Sequence, residues 1–402
     1  MIYVIIQSMK DWLQDNNLWW TVMVFDQTTF RAVAAVILSF LIVVLFGRRT
    51  IRALVRLKIG DNPEFDNVDL NRLTKDKAMT PTMGGILIAA AIFFTTVLLS
   101  DIREFYVQMA LICLIMYAGL GAVDDYLKLT SQRRAPGPRH GLYTWEKLVF
   151  QVGWALVLGF FIHNHGLWSY QQAIEAAAAG QPTDHMHNMS HVLNLPFQAT
   201  WEGASADDLI TLGPWAFGIL TVLVISGSSN AANLTDGMDG LLSGIMAIVG
   251  FAFLILALTA GIESWAGFLR VPLVPAAAEL AIVAGAIVGG CLGFLWFNCH
   301  PAQVFMGDTG SPPLGALAGY IAVVIRQELL LVLIGGILVA EALSVILQVG
   351  YFKASHGSRL FRCAPIHHHF HLAGWTEQQV VVRFWLISAL LAALALATLK
   401  LH

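Results

Sequence analysis

Residues 238–260 read MDGLLSGIMAIVGFAFLILALTA, an apolar run whose single charged residue, Asp239, stands at its very start. A bilayer core takes about 20 apolar residues in helix, and this run supplies them. Similar runs lie on both sides, at about 30–47, 83–100, 107–123, 147–163, 213–230, 276–297, 311–326, 329–350 and 379–400. Together they predict an all-α integral membrane protein of about ten transmembrane helices. The composition agrees: of 402 residues 57% are apolar and 12% charged, with a mean hydropathy of +0.68, whereas soluble domains carry about 25% charged residues.

The expected organisation is an interfacial segment over 1–29, carrying Trp12, Trp19 and Trp20, and one membrane domain over 30–402. A long external loop spans about 164–212, where Gly180, Gln181 and Pro182 break the pattern, while Ala176 to Ala179 extend a short helix. Its histidines, His163, His165, His185, His187 and His191, are expected as solvated loop residues. No cleavable signal peptide is expected, because Asp11 and Asp15 follow a very short apolar start. Cys113, Cys291, Cys299 and Cys363 lack the spacing of a metal site or a disulfide framework. No repeat of fixed period and no soluble domain stand out.

Basic residues set the orientation. Arg48, Arg49, Arg52, Arg56 and Lys58 follow the first run. Lys75 and Lys77 precede the second, Lys128, Arg133, Arg134 and Arg139 follow the third, and Lys353, Arg359 and Arg362 follow the ninth. The opposite connections hold only Lys10, Arg31, Arg103, Arg270, Arg326 and Lys400. The positive-inside rule therefore puts the first group in the cytoplasm and both termini outside.

The polar, glycine-rich islands then fall on that same cytoplasmic face: 77–85, 124–128, 230–240, 298–311 and 365–371. An acidic residue at mid-membrane costs about 2.5–3.5 kcal/mol on insertion scales. Taken alone, Asp124 and Asp125 would merely mark the water boundary, with Lys128 as a salt-bridge partner. The other islands add Asp236, Asp239 and Asp308, with Lys77, Lys128 and Lys147 on the same face. Ser311-Pro312 and Thr80-Pro81 read as cap-and-start pairs for the eighth and second spans, which would aim helix N-termini at a phosphate. Carboxylates that suit Mg²⁺ beside lysines that balance phosphate fit a metal-bridged diphosphate. Five islands on one face imply one composite site. In Pro365-Ile-His-His-His-Phe370, neighbouring imidazoles point different ways, so hydrogen bonding to a sugar or phosphate is preferred over a metal cluster.

Thr80-Pro-Thr-Met-Gly-Gly85, Asp124-Asp-Tyr-Leu-Lys128, Asn233-Leu-Thr-Asp-Gly-Met-Asp-Gly240, Phe305-Met-Gly-Asp308 and Ala364-Pro-Ile-His-His-His369 resemble the motifs of the phospho-N-acetylmuramoyl-pentapeptide transferase family. That family sits within the polyprenyl-phosphate N-acetylhexosamine-1-phosphate transferases. The likeness runs in order from about residue 30 to 400, and the triple histidine favours this branch over relatives that transfer GlcNAc-1-phosphate. The resemblance implies transfer of phospho-MurNAc-pentapeptide from UDP-MurNAc-pentapeptide to undecaprenyl phosphate, giving lipid I and UMP with Mg²⁺, in a multi-pass bacterial inner-membrane protein whose site faces the cytoplasm. It implies Asp308 as metal ligand and Asp124 and Asp125 acting on the lipid phosphate. Lys77, Thr82, Lys128, Lys147, Asn233, Asp236, Asn298 and His367 match positions tied to substrate binding or activity, with His367 among the catalytic ones. Asp239, Phe305, Gln348 and His368 match the nucleoside pocket. A homodimer and a hydrophobic lipid groove are implied too, and no nucleic-acid partner.

Two departures stand out: Ala78-Met79 where a basic-Gly pair is usual, and the length of 164–212. The competing class is a secondary transporter, whose polar groups would gather at the midplane in related halves. Within the enzymes the alternative is a GlcNAc-1-phosphate transferase. Direct attack and an aspartyl-phosphate route both remain open.

Overall fold

The computed structural model describes residues 1–56, 80–131, 141–178, 191–195 and 210–399. Helices make up nearly all of its regular structure. Following short helices at Ile2–Ser8, Lys10–Asp15 and Trp19–Val22, the main elements are α1 (Thr28–Arg56), α2 (Gly85–Leu99), α3 (Phe105–Ser131), α4 (Thr144–Ala178), α5 (Pro214–Thr235) and α6 (Leu241–Gly261). They continue with α7 (Leu280–Asn298), α8 (Ser311–Val324), α9 (Glu328–Ile334), α10 (Gly336–Ala354), α11 (Ile366–Leu372) and α12 (Glu377–Thr398). The expected all-helical membrane architecture is what the chain forms.

Among the described residues eight helices are long and apolar enough to cross a bilayer, and α2 and α8 are shorter apolar helices. The shortness of α8 has a physical cause. Every residue of α8 is buried in protein, so its length answers to its neighbours and not to bilayer thickness. The run expected over 329–350 breaks at Gly335 into α9 and α10. The break lies at a Gly-Gly pair, where a Cβ on Gly336 would stand 2.7 Å from Leu391 of α12.

Helices α6 and α7 form the centre, with most of their residues buried. Gly285, Gly289 and Gly293 recur every fourth residue on α7 and lie against the backbone of Ala32, Val36 and Phe40 in α1. Small residues at this spacing let two helices pack at close range where lipid supplies no hydrophobic drive. At the ends of α1, α2 and α7 remote from the lysines described below, Arg31 makes a bidentate pair with Glu279, at 2.8 and 2.6 Å, and Glu279 also accepts the Asp101 N–H at 2.8 Å.

The outer histidines correct one expectation. Helix α4 runs on to Ala178, and His163 and His191 are buried, their rings stacked 4.0 Å apart. Burial lowers the His191 imidazole to about 4. His165 stacks on Phe105 at 4.1 Å. A bridge between Val192 and Thr211 returns this segment to the bundle. His185 and His187, like Gly180 to Pro182, lie outside the described residues.

Candidate active site

The ends of α3 and α5, the start of α4 and the loop before α8 meet at one end of the bundle. Asp124, near the end of α3, accepts from Lys147 of α4 at 2.6 Å and pairs with Lys128 at 2.8 Å, one helical turn on. The same two ammonium groups reach Asp308, Lys147 at 2.7 Å and Lys128 at 3.0 Å. Asn233, at the end of α5, donates to the other Asp308 oxygen at 2.8 Å and to Ser311 Oγ at 3.2 Å. Two carboxylates and two lysines thus form a closed ring, with Asp124 fully buried and Lys128 reaching water. Burial alone would push the Asp308 carboxyl up. Its shared hydrogen bonding with Asp124 and the two ammonium charges outweigh that and hold it well below the usual carboxylate range.

The paired aspartates have separate jobs in this geometry. Asp125 accepts from Thr309 N–H at 2.9 Å, Thr309 Oγ1 at 2.7 Å and Asp308 N–H at 3.2 Å. It fixes the turn that carries Asp308, whereas Asp124 faces the lysines. Close packing supports that turn: a Cβ on Gly121 of α3 would overlap the Asp308 carbonyl. Gly307 sits at φ +71°, beside Thr82 Oγ1 and Asp125.

Neither Ser311 nor Thr80 caps its helix as expected. Helix α8 begins at Ser311 after Gly310, and Ser311 Oγ donates back to Gly307 O at 3.1 Å. Helix α2 begins only at Gly85. The stretch before it pairs with the 305–306 backbone: Phe305 N–H to Pro81 O at 2.8 Å, and Gly84 N–H to Phe305 O and Gly85 N–H to Met306 O at 2.9 Å each. These backbone bonds satisfy the donors that side-chain caps would otherwise serve, and they set Thr82 beside Gly307.

Asp236 and Asp239 lie on the turn between α5 and α6. Asp236 accepts a hydrogen bond from Gly307 N–H, and burial, reinforced by the charges of Asp308 and Asp125, pushes its carboxyl up to about 7. Asp239 accepts from His300 Nδ1 at 3.0 Å and Ala302 N–H at 3.1 Å, and its own N–H donates to Glu377 at 2.8 Å. Asn298 is buried. It accepts from Gly240 N–H and Ser243 Oγ and donates to Val304 O, so its amide ties the 298–304 loop to the start of α6. Phe305 is half-buried beside that loop. His367 and His368 are buried at the start of α11, with the His367 ring against Gly237. Gln348 of α10 accepts from Phe361 N–H at 2.8 Å. Lys77 lies outside the described residues.

Sequence reasoning missed His300, Thr309, Glu341 and Glu377. A lone carboxylate inside an apolar run was the available signal for Glu341. His300 and Thr309 lie inside the 298–311 island, which marked the segment but not these side chains, and Glu377 stands in an ordinary polar connection and carried no signal.

Carboxylate oxygens of Asp124, Asp125 and Asp308 come within 4.8 Å of one another. Such hard oxygen donors suit a divalent cation such as Mg²⁺. Asp125 is engaged by the 308–309 backbone, and the facing oxygens of Asp124 and Asp308 are engaged by Lys128 and Lys147, so a cation held between those two would replace the ammonium contacts.

Residues 107–326 match the profile of Glycosyl transferase family 4. Phospho-N-acetylmuramoyl-pentapeptide-transferase of Desulfotalea psychrophila is 40% identical over 379 residues, covering 94% of this chain and 95% of the relative. The protein of that name from Thermodesulfovibrio yellowstonii is 39% identical over the full length of both. The chain belongs to the phospho-N-acetylmuramoyl-pentapeptide-transferase family. The match spans the helical bundle, including the segments that carry Asp124, Lys128, Lys147 and Asp308. A third relative, from Leptospira biflexa, is 39% identical over 387 residues.

Proposed function

We propose that this transferase moves phospho-MurNAc-pentapeptide from UDP-MurNAc-pentapeptide to undecaprenyl phosphate, giving lipid I and UMP for peptidoglycan synthesis, at the cytoplasmic face of the bacterial inner membrane. The observation that carries the reading is the Asp124–Lys147–Asp308–Lys128 ring, assembled from separate elements at the end of an apolar bundle. Beside it an apolar groove runs between α5 and α9–α10, lined by Leu223, Gly227, Ala231, Leu331 and Val339, and ends two residues from Asn233. It suits a polyprenyl chain whose phosphate reaches the ring.

Both substrates are anions, so the barrier is charge repulsion together with bringing a lipid and a soluble nucleotide into contact. Lys128 and Lys147 would balance the diphosphate oxygens. Asp308, with Asp124, would hold Mg²⁺, which when bound supplies charge neutralisation to the diphosphate. Asp124 would orient and deprotonate the lipid phosphate, while Asp125 positions the Asp308 turn. A lipid phosphate oxygen bonds to the phosphorus that bears the sugar, the bond from that phosphorus to UMP breaks, and UMP carries away the electron pair. Asn233, Thr82 and Lys77 would contact the phosphates, Asp236 would bind substrate beside them, and Asp239, Phe305, Gln348 and His368 would line the nucleoside side, with Asn298 behind them. The protein would work as a homodimer.

The deciding experiment supplies purified protein with undecaprenyl phosphate, Mg²⁺ and either UDP-MurNAc-pentapeptide or UDP-GlcNAc. Lipid I and UMP should form only with the first. Equal or better use of UDP-GlcNAc would move the chain to the other branch, and a stoichiometric release of UMP without lipid would replace direct attack by a covalent route.

A further inference from the structure

Glu341 and His367 are a buried ionisable pair to which the proposed chemistry gives no structural account. Glu341 lies within α10, wholly buried, and its Oε1 has no hydrogen-bond partner. Its Oε2 lies 3.1 Å from His367 Nδ1 and accepts the His367 backbone N–H at 3.4 Å. The ring-to-carboxylate angle falls short of a well-aligned hydrogen bond, a common condition in active sites before substrate tightens them. A carboxylate inside an apolar span is costly and marks function more often than packing.

The contacts continue toward the site. The His367 ring is wholly buried, and its Nε2 edge presses on Gly237 where no Cβ fits. Gly237 follows Asp236, which accepts from Gly307 N–H, next to Asp308. A side chain on α10 is thereby linked through one imidazole to the turn facing the ion ring.

We propose that Glu341 is a positioning residue for the transfer reaction, holding His367 as the Nδ1–H tautomer with its Nε2 edge seated under the Asp236–Gly237 turn. The carboxylate accepts the Nδ1 proton and fixes both tautomer and ring orientation, as carboxylates do for functional histidines elsewhere. The inference rests on the transferase reading for its kinetic consequence, but the tautomer itself does not. The competing account is a buried pair that merely fastens α10 to α11.

The test uses the full chain in detergent with UDP-MurNAc-pentapeptide and undecaprenyl phosphate, comparing wild type, Glu341→Gln, His367→Asn and the double variant. Glu341→Gln should lower kcat by about 10- to 100-fold, by analogy with loss of the carboxylate partner of a metal-bound histidine, with KM for the nucleotide sugar changed by no more than about twofold. In the His367→Asn background it should add no more than about a further twofold, since groups acting through one another are not additive. Fully multiplicative losses, or near-normal turnover in Glu341→Gln, would overturn the proposal. Imidazole ¹⁵N spectra of the wild-type protein, with His367 assigned by its loss in His367→Asn, should show a protonated Nδ1 and a bare Nε2. The opposite tautomer overturns the proposal even if Glu341→Gln does not fold. Wild-type protein inactive with both nucleotide sugars would instead sink the transferase reading and leave the tautomer measurement standing.

Discussion

Asp236 and Asp308 belong to one cluster, yet their surroundings drive their carboxyls in opposite directions. Hydrogen bonding with Asp124 and the two lysines hold Asp308 low against its burial, while burial and its negative neighbours push Asp236 up to about 7. A free aspartate loses its proton near ~3.9. Between those values the folded chain keeps a proton that the unfolded chain has released. Stability from that proton is full below about pH 4 and is lost as pH rises through about 7. In metal-free buffer, the melting temperature of Asp236→Asn minus that of wild type should therefore climb, by a few degrees, from about pH 4 to about pH 7.5. A difference that stays flat across this window would show that Asp236 titrates normally.

At the level of elements, α3 joins the membrane core to the chemistry. Its glycines report how closely it approaches the Asp308 turn. A Cβ at Gly121 would overlap the Asp308 carbonyl, while at Gly119 it would meet open space. Gly121→Ala must move either the helix or the turn, at a cost of about 1–3 kcal/mol, and turnover should drop with it. Gly119→Ala should keep full activity and gain up to about 1 kcal/mol from helix propensity. Thermal melts and turnover of the two variants check this; equal behaviour would mean that the turn does not rest on α3.

Across the whole molecule, the ion ring and the Arg31–Glu279 pair lie at opposite ends of the bundle. One end carries the acidic and basic ring proposed to meet the substrates, and the other clasps α1, α2 and α7. The arginines closing α1 fall at the ring's end, and the positive-inside rule predicts that this end faces the cytoplasm. Cys299, exposed at the end of α7, offers a direct probe, because Cys113 and Cys291 are buried. With Cys363 changed to serine, a membrane-impermeant maleimide should label Cys299 in inside-out vesicles and leave intact spheroplasts unlabelled. Labelling in spheroplasts would invert the topology.

Hydropathy alone determined the all-helical membrane class and the approximate place of each span, because a bilayer requires long apolar helices with their backbone bonds satisfied internally. The motif islands likewise marked Asp124, Asp308, Lys128 and Asn233, whose polar character conflicts with an apolar setting, while Lys147 came from the family resemblance. Only the tertiary structure separated Asp125, bound to the Thr309 turn, from Asp124, facing the lysines: adjacent residues on a helix point in different directions, and sequence does not say what each meets. Burial of His163 and His191, the extended start before α2 and the break at Gly335 also depended on neighbours distant in the chain. The link from Glu341 to His367 did so too, since packing brings together two residues 26 positions apart.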